Sequence, residues 1–290
     1  MRILVTGKNG QLGNSIQQIV SNAKQNNDFV FVGRGELDFS QNDNITKYFE
    51  ENNFDVIVNC AAYTAVDKAE SEAKLANQIN HLSVEKLATI AQKNNIKLIH
   101  VSTDYVFDGN SIEPYIESIV PNAVNTYGRS KLLGEEAIQK VMSNNAMIIR
   151  TSWMYSGYGN NFVKTMLELG ESKEQISVVD DQVGSPTCAL DLAQAIIHII
   201  NHANFTKAEF KTQIYHYSNS GFCSWYEFAK EIFKLANIEC LVNPITTDNY
   251  PMPATRPMFT ALDSQKIIDD FDLKIPEWEK SIGKCAKLLA

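Results

Sequence analysis

Tyr127 and Lys131 stand four residues apart in Tyr127-Gly128-Arg129-Ser130-Lys131, so on a helix they share one face. An ammonium beside a phenol stabilises the phenolate and is expected to lower a pKa that starts near about 10. A phenol tuned in this way can pass a proton to and from an alkoxide. Thr103 ends an apolar run in Ser102-Thr103-Asp104-Tyr105-Val106-Phe107-Asp108-Gly109 and can hydrogen-bond the same oxygen. Taken alone, Tyr-x-x-x-Lys describes many exposed helix faces. Its meaning here comes from the elements around it.

Those elements begin with Thr6-Gly7-Lys8-Asn9-Gly10-Gln11-Leu12-Gly13, set between the apolar run Ile3-Leu4-Val5 and a helix expected from Leu12 to about Lys24. A pyrophosphate needs N–H groups at a helix N-terminus and no side chain in its way. Gly7, Gly10 and Gly13 suit the turn, the close approach and the helix packing of a dinucleotide site, although the spacing is G-x-x-G-x-x-G rather than G-x-G-x-x-G. After the second apolar run, Val32-Gly33-Arg34 carries an Arg and no acid where an acid would bind the adenosine ribose. That favours NADP(H), with NAD(H) the alternative. Asp38, followed by Phe39 and Ser40, is placed to meet the adenine edge. Asn59-Cys60-Ala61-Ala62-Tyr63-Thr64 follows the third run, and its small residues let the nicotinamide-side ribose pass close to the backbone.

Runs at Phe29 to Val32, Asp55 to Asn59, Lys97 to Val101 and Ala146 to Ile149 alternate with helical stretches at Ile45 to Asn52, Ala69 to Asn94 and Tyr127 to Ser143. Buried strands separated by helices predict a parallel sheet covered on both faces, a Rossmann-like doubly wound α/β fold. Residues 1–152, together with about 187–220, are expected to form the dinucleotide-binding domain. Residues 153–186 and 221–290 are expected to form a smaller C-terminal substrate-binding lobe. Within the second half, Thr187 is expected to cap a helix over Ala189 to Ile200, and Ser224 one over Trp225 to Ala236. Ile214 to Tyr217 reads as a strand, Pro244 to Pro257 as a loop, and Glu277 to Leu289 as a last helix.

The chain has 290 residues, 44% hydrophobic and 21% charged, with a formal net charge of -8. That balance and the scattered Lys and Arg disfavour a nucleic-acid or anionic-membrane partner. No window reaches the roughly 18 apolar residues of a membrane span. The N-terminus runs straight into a strand, so no signal peptide is expected. Five widely spaced cysteines without ligand spacing predict free thiols in the cytoplasm. His81, His100, His198, His202 and His216 also lack ligand spacing and read as structural, and Trp225, Tyr226 and Phe228 read as core.

The glycine turn and the Tyr-x-x-x-Lys pair together resemble the extended short-chain dehydrogenase/reductases. Asn59 to Glu70, Ser102 to Gly109, Tyr127 to Glu135 and Asp181-Gln182-Val183-Gly184-Ser185-Pro186-Thr187 narrow the resemblance to the dTDP-4-dehydrorhamnose reductase family, from residue 1 to Arg256-Pro257. The resemblance implies an oxidoreductase of dTDP-rhamnose and polysaccharide biosynthesis. The expected reaction is hydride transfer from NAD(P)H to the keto group of dTDP-4-dehydro-L-rhamnose. It implies Thr103, Tyr127 and Lys131 as the catalytic trio, and Gly7, Asn9, Gly10, Gln11 and Leu12 on the pyrophosphate. Cys60, Ala61, Ala62 and Tyr63 would line the nicotinamide half. Asp104, Tyr105 and Trp153 would face the sugar, Val66 would border it, and Arg256 would meet the diphosphate. Some relatives form a magnesium-bridged dimer through a glutamate just after the glycine turn. Here that place reads Asn14-Ser15, so no metal is expected, and the chain would be a monomer or a homodimer. A reductase or epimerase of another nucleotide-linked 4-keto sugar is the near alternative. A non-catalytic NADP-binding regulatory subunit is the distant one.

Overall fold

A computed structural model describes residues 1–22 and 26–289. The first half alternates strand and helix: β1 (Arg2–Thr6), α1 (Gln11–Asn22), β2 (Asp28–Val32), α2 (Asn42–Glu51) and β3 (Val56–Asn59). Next come α3 (Val66–Ser71), α4 (Ala73–Asn77), a π turn over Gln78–Leu82, and α5 (Ser83–Lys93). β4 (Lys97–Thr103), a 3₁₀ turn over Asp104–Val106, α6 (Thr126–Val141) and β5 (Ala146–Thr151) complete it. The second half runs through β6 (Met154–Tyr155), α7 (Phe162–Ser172), β7 (Gln175–Val179), β8 (Val183–Gly184), β9 (Thr187–Cys188), α8 (Ala189–Asn201) and α9 (Ala203–Thr206). It ends with β10 (Gln213–His216), β11 (Cys223–Ser224), α10 (Trp225–Ala236), β12 (Leu241–Ile245), α11 (Gln265–Phe271) and α12 (Trp278–Leu289). The expected end of the first helix, Lys24, lies outside the described residues.

The central sheet has six strands in the order β10-β5-β4-β3-β1-β2, every pair parallel. Successive side chains of β1 face opposite sides, and both sides are dry. Ile3 and Val5 join Val56, Val58, Leu12 and Ile16 with Leu192 and Ile196 of α8. Leu4 and Ile57 join Ile45 of α2, Leu87 of α5 and Ile138 of α6. The strand order reverses between β1 and β3, and in such sheets a crevice opens beyond the carboxyl ends of the strands at that point. A third cluster, including Val163, Met166, Ile176, Phe228, Ile232, Trp278 and Ile282, forms the core of the second-half elements.

Three local expectations give way. The single helix expected from Ala69 to Asn94 is broken by Glu72 and by the π turn. The apolar period continues through the break, so periodicity does not register it. Thr187 does not cap α8; it lies in β9, paired with Met154, while Cys188 is the N-cap residue without a side-chain cap bond. Asn219 Oδ1 accepts the Cys188 N–H instead, at 2.7 Å. Pro244, expected in a loop, lies in β12, paired in parallel with β7. Ser224 caps α10 through a full capping box with Glu227, as its sequence predicts.

Candidate active site

Gly7 leaves β1 at φ +69°, and a Cβ there would sit 2.9 Å from the backbone of Cys60 and Ala61. Only glycine therefore lets the ends of β1 and β3 close on one another. The turn delivers the N-terminus of α1 to a crevice of about 970 Å³, within the range of cofactor sites. At Gly10 a Cβ would meet only the Gly7 carbonyl, at 3.3 Å, and Gly10 itself lines the crevice. Bare backbone N–H groups at a helix start, open to a cleft of this size, fit a dinucleotide pyrophosphate.

Of the residues expected on the cofactor, Gly7, Asn9, Gly10, Gln11, Leu12, Arg34, Asp38, Phe39, Cys60, Ala61, Ala62, Tyr63, Tyr127 and Lys131 all line this crevice. Ser40 does not; its N–H donates to Asp38 Oδ1 at 2.8 Å. Arg34 is 77% exposed, with Nε 3.6 Å from Asp38, so its guanidinium is free to meet a phosphate. Burial of Asp38 opposes ionisation, but the Ser40 N–H and Arg34 outweigh it and hold the carboxyl below its ordinary range. Gln11 does more than expected. Its Nε2 donates to Met154 O (3.1 Å), and its Oε1 accepts from Ser156 (3.0 Å) and Asn161 (3.1 Å). The glycine turn is thus tied to the first segment of the second half.

Thr103, Asp104, Tyr127, Lys131 and Trp153 line the same crevice. The start of α6 is pressed onto the turn after β4: a Cβ on Gly128 would lie 2.1 Å from the Tyr105 carbonyl. Asn125 fixes that start by accepting the Gly128 N–H at 2.8 Å and donating to Thr255 O at 2.9 Å. Tyr127 is thereby brought to Thr103. Burial pushes its phenol up to about 12; the neighbouring Thr103 side chain pulls down and Asp104 pushes up further. The net shift is upward, opposite to the lowering expected from the Tyr–Lys pair. Lys131 is 1% exposed, and its ammonium donates to Val101 O at 2.7 Å and meets His100 Nε2 at 3.2 Å. Burial pulls Lys131 down to about 8, against the pull of Glu135 and Cys60.

Asp104 is 3% exposed, and burial raises it to about 6 against hydrogen bonds from Thr260 and Thr103. Its Oδ1 accepts from Thr103 Oγ1 at 3.0 Å. Trp153 adopts φ +44°, costly for a bulky side chain, and stacks on Trp225 with ring centroids 3.4 Å apart. The residue expected in the core is thus also the support for a crevice wall. Val66 and Tyr105 pack beside Tyr127 without lining the crevice. Arg256 does not line it either: its Nη2 pairs with Asp67 Oδ2 at 2.7 Å, and its guanidinium carbon lies 6.0 Å from the Tyr105 ring centre.

Two residues were missed by sequence reasoning. Asn80 sits in the π turn and clamps Tyr63 from both sides, accepting its N–H (2.8 Å) and donating to its carbonyl (3.0 Å). It also donates to Ser130 Oγ at 3.0 Å, joining the β3 loop to α6. A π turn interrupting a helix is the signal, visible only in the fold. The other is His100, read as structural, which stands against Lys131. Among the described residues no three His, Cys, Asp or Glu side chains gather to hold a metal, and no helix is long and apolar enough to cross a membrane.

The profile of the RmlD substrate binding domain matches residues 1–290. A dTDP-4-dehydrorhamnose reductase of Sinorhizobium fredii is 39% identical, over 97% of this chain and 95% of its own length. One of Escherichia coli is 39% identical, over 98% and 96%. The crystal structure of a Bacillus anthracis dTDP-4-dehydrorhamnose reductase in complex with NADP superposes with a TM-score of 0.91 at 38% identity, covering 98% of both chains.

Proposed function

The chain belongs to the family of the RmlD substrate binding domain, and we propose that it reduces dTDP-4-dehydro-L-rhamnose to dTDP-L-rhamnose with NADPH, for surface polysaccharide synthesis. The observation that carries this reading is the meeting of Thr103, Tyr127 and Lys131 in one crevice built on the glycine turn. The bound cofactor supplies the hydride for the sugar C4 carbonyl.

Tyr127, kept a neutral phenol by burial, donates its proton to the carbonyl oxygen as charge develops there. Thr103 orients that oxygen, and Lys131 holds the ribose hydroxyls on the nicotinamide side. Arg34 takes the adenosine 2′-phosphate. Asp104, in the crevice lining, faces the sugar, and the Trp153 ring, braced by Trp225, forms an apolar wall of the sugar site. For Arg256 to meet the diphosphate it exchanges its Asp67 partner for the incoming anion. Residues 1–152 with about 187–220 hold the cofactor, and 153–186 with 221–290 close on the sugar. The enzyme works in the cytoplasm as a monomer or homodimer, on a nucleotide sugar and without nucleic-acid or membrane partners.

The test is cofactor oxidation followed by absorbance across a panel of dTDP- and UDP-linked 4-keto sugars, with NADPH and NADH. Turnover is expected with dTDP-4-dehydro-L-rhamnose, faster with NADPH. NADPH binding without turnover on any of these sugars would mark a regulatory subunit and end the reductase reading.

A further inference from the structure

Behind Lys131 runs a chain of buried polar side chains that the reaction just described does not use. Lys131 Nζ lies 3.2 Å from His100 Nε2. His100 Nδ1 lies 2.9 Å from Asn59 Nδ2. Asn59 Oδ1 accepts the Thr6 hydroxyl at 2.7 Å and the Ala61 N–H at 3.2 Å. Asn59 and His100 are fully buried, and Thr6 is 1% exposed. Each link joins a different strand of the sheet: β1, β3 and β4, ending on α6.

In the structure the Asn59 amide turns its oxygen to Thr6 and Ala61 and its nitrogen to His100. The Ala61 N–H is shared between Asn59 Oδ1 and Thr6 Oγ1, each at 3.2 Å, and the Thr6 hydroxyl donates to the same Asn59 oxygen. The amide nitrogen of Asn59 faces His100, and it can only donate to Nδ1. Burial, with the nearby Lys131 charge, holds His100 well below its ordinary pKa, so the ring is neutral. A neutral imidazole that accepts at Nδ1 carries its proton on Nε2. That N–H points at Lys131. An ammonium has no lone pair to accept it, whereas a free amine does.

We propose that His100 is a positioning residue that sets the proton affinity of Lys131: Asn59 locks the imidazole in the Nε2–H form, and the ring then faces Lys131 as a donor and favours its free amine. Three other groups act on Lys131. Glu135, one turn along α6, favours the ammonium, but Arg150 on β5 and Ser102 on β4 both bond its carboxylate. Cys60, at the end of β3, would favour the ammonium only as a thiolate, and burial keeps it a thiol by pushing it up to about 12. Tyr127, on the same helix face, is a neutral phenol at rest. His100 is therefore the polar contact that opposes the charge, added to the burial of Lys131 itself. In the reductase reading, on which this assignment rests, the ammonium steadies the tyrosinate that proton donation leaves behind. Turnover then fails on the alkaline side as Lys131 loses its proton, at a pH that His100 draws downward.

The test is Asn59→Asp in the full-length protein. A carboxylate of nearly the same shape keeps the Thr6 and Ala61 bonds but offers His100 an acceptor. The ring should then move its proton to Nδ1 and turn a bare Nε2 toward Lys131. Imidazole nitrogen NMR should show the Nε2–H tautomer in the parent protein and the Nδ1–H tautomer in the variant. The Lys131 titration, read by NMR at its side-chain ε carbon, and the alkaline limb of kcat should both rise by about one pH unit, roughly a tenfold gain in proton affinity. A carboxylate also acts through space, so the same change is made beside His100→Phe, where the rise should shrink to less than half. Finding Nδ1–H in the parent protein overturns the proposal. So does a switched tautomer with an unmoved Lys131 titration, or an undiminished rise in the His100→Phe background. Should no 4-keto sugar be turned over, the reductase reading fails while the two NMR measurements still decide this one.

Discussion

Glu135→Gln should unfold the protein far more readily than its single lost charge suggests. Glu135 and Arg150 are each 1% exposed, and two guanidinium nitrogens bond the carboxylate at 2.6 to 3.1 Å. The third, Nη1, has no partner among the described residues, so the carboxylate is the main compensation for a buried charge. An amide keeps one acceptor but turns an NH₂ toward the guanidinium or the Ser102 hydroxyl. Breaking a buried pair from one side costs about 3–5 kcal/mol, against about 1 kcal/mol or less for a pair on the surface. For a chain of this size that corresponds to a fall in Tm on the order of 10 °C. Urea unfolding at neutral pH, followed by tryptophan fluorescence, measures the loss. It should change little between low and high salt because no counter-ion reaches the pair. Replacing both partners together, as Glu135→Leu with Arg150→Met, should recover most of the stability. A loss from Glu135→Gln below about 1 kcal/mol, or one that salt abolishes, would refute the argument that burial sets the size of the effect.

Four further outcomes are expected. Tyr127→Phe should lower kcat by about 10²–10⁴-fold with NADPH affinity nearly unchanged, as titration calorimetry will read; an active variant removes Tyr127 from the proton step. Arg34→Ala should weaken NADPH by roughly tenfold and leave NADH untouched, since only the former offers a 2′-phosphate for a charge-assisted bond; equal losses would place Arg34 off that phosphate. Asp104→Asn should make the protein more stable at neutral pH, because burial raises the Asp104 pKa from 3.8 to about 6 and ionisation above that pH works against folding. That gain should fade as pH falls from about 6 towards 3.8, where both forms are neutral, and urea midpoints along that range will show it. Trp225→Ala should remove the support under Trp153 and raise KM for the sugar nucleotide more than it lowers kcat, with the circular dichroism of the stacked indole pair lost; retention of that signal would mean Trp153 holds its place unaided.

The sheet was legible because its strands are buried on both faces and read as unbroken apolar runs, and because glycines mark the turn out of β1. Tyr127 and Lys131 were legible as a pair because helix geometry relates neighbours four apart. What escaped was chemistry that depends on distant residues. His100 and Lys131 lie on different elements and gain meaning only when β4 and α6 pack. Asp67 and Arg256 come from α3 and a late loop, so the sequence offers no sign that the guanidinium already has a partner. The Tyr127 phenol is shifted up rather than down because periodicity places it and Lys131 on one face but says nothing about how dry that face is. Thr187 looked like a cap because its type suits one. The pairing of β9 with β6 claims it, and α8 starts at Cys188 without a side-chain cap.

The strand at one edge of the sheet, β10, is also the last of its six to be synthesised, and α8, which covers α1, comes only shortly before it. While the chain emerges from the ribosome, five strands are present with one greasy side bare: Leu12, Ile16 and Val58 await Leu192 and Ile196. A nascent chain halted at residue 152 would carry the whole glycine turn and the Tyr–Lys pair, yet expose an unpaired edge at β5 and an uncovered layer. Such a fragment is prone to stick to its neighbours. The apparent seam after residue 152 is thus no place to cut, since that apolar side stays bare until the stretch between β5 and β10 has been made.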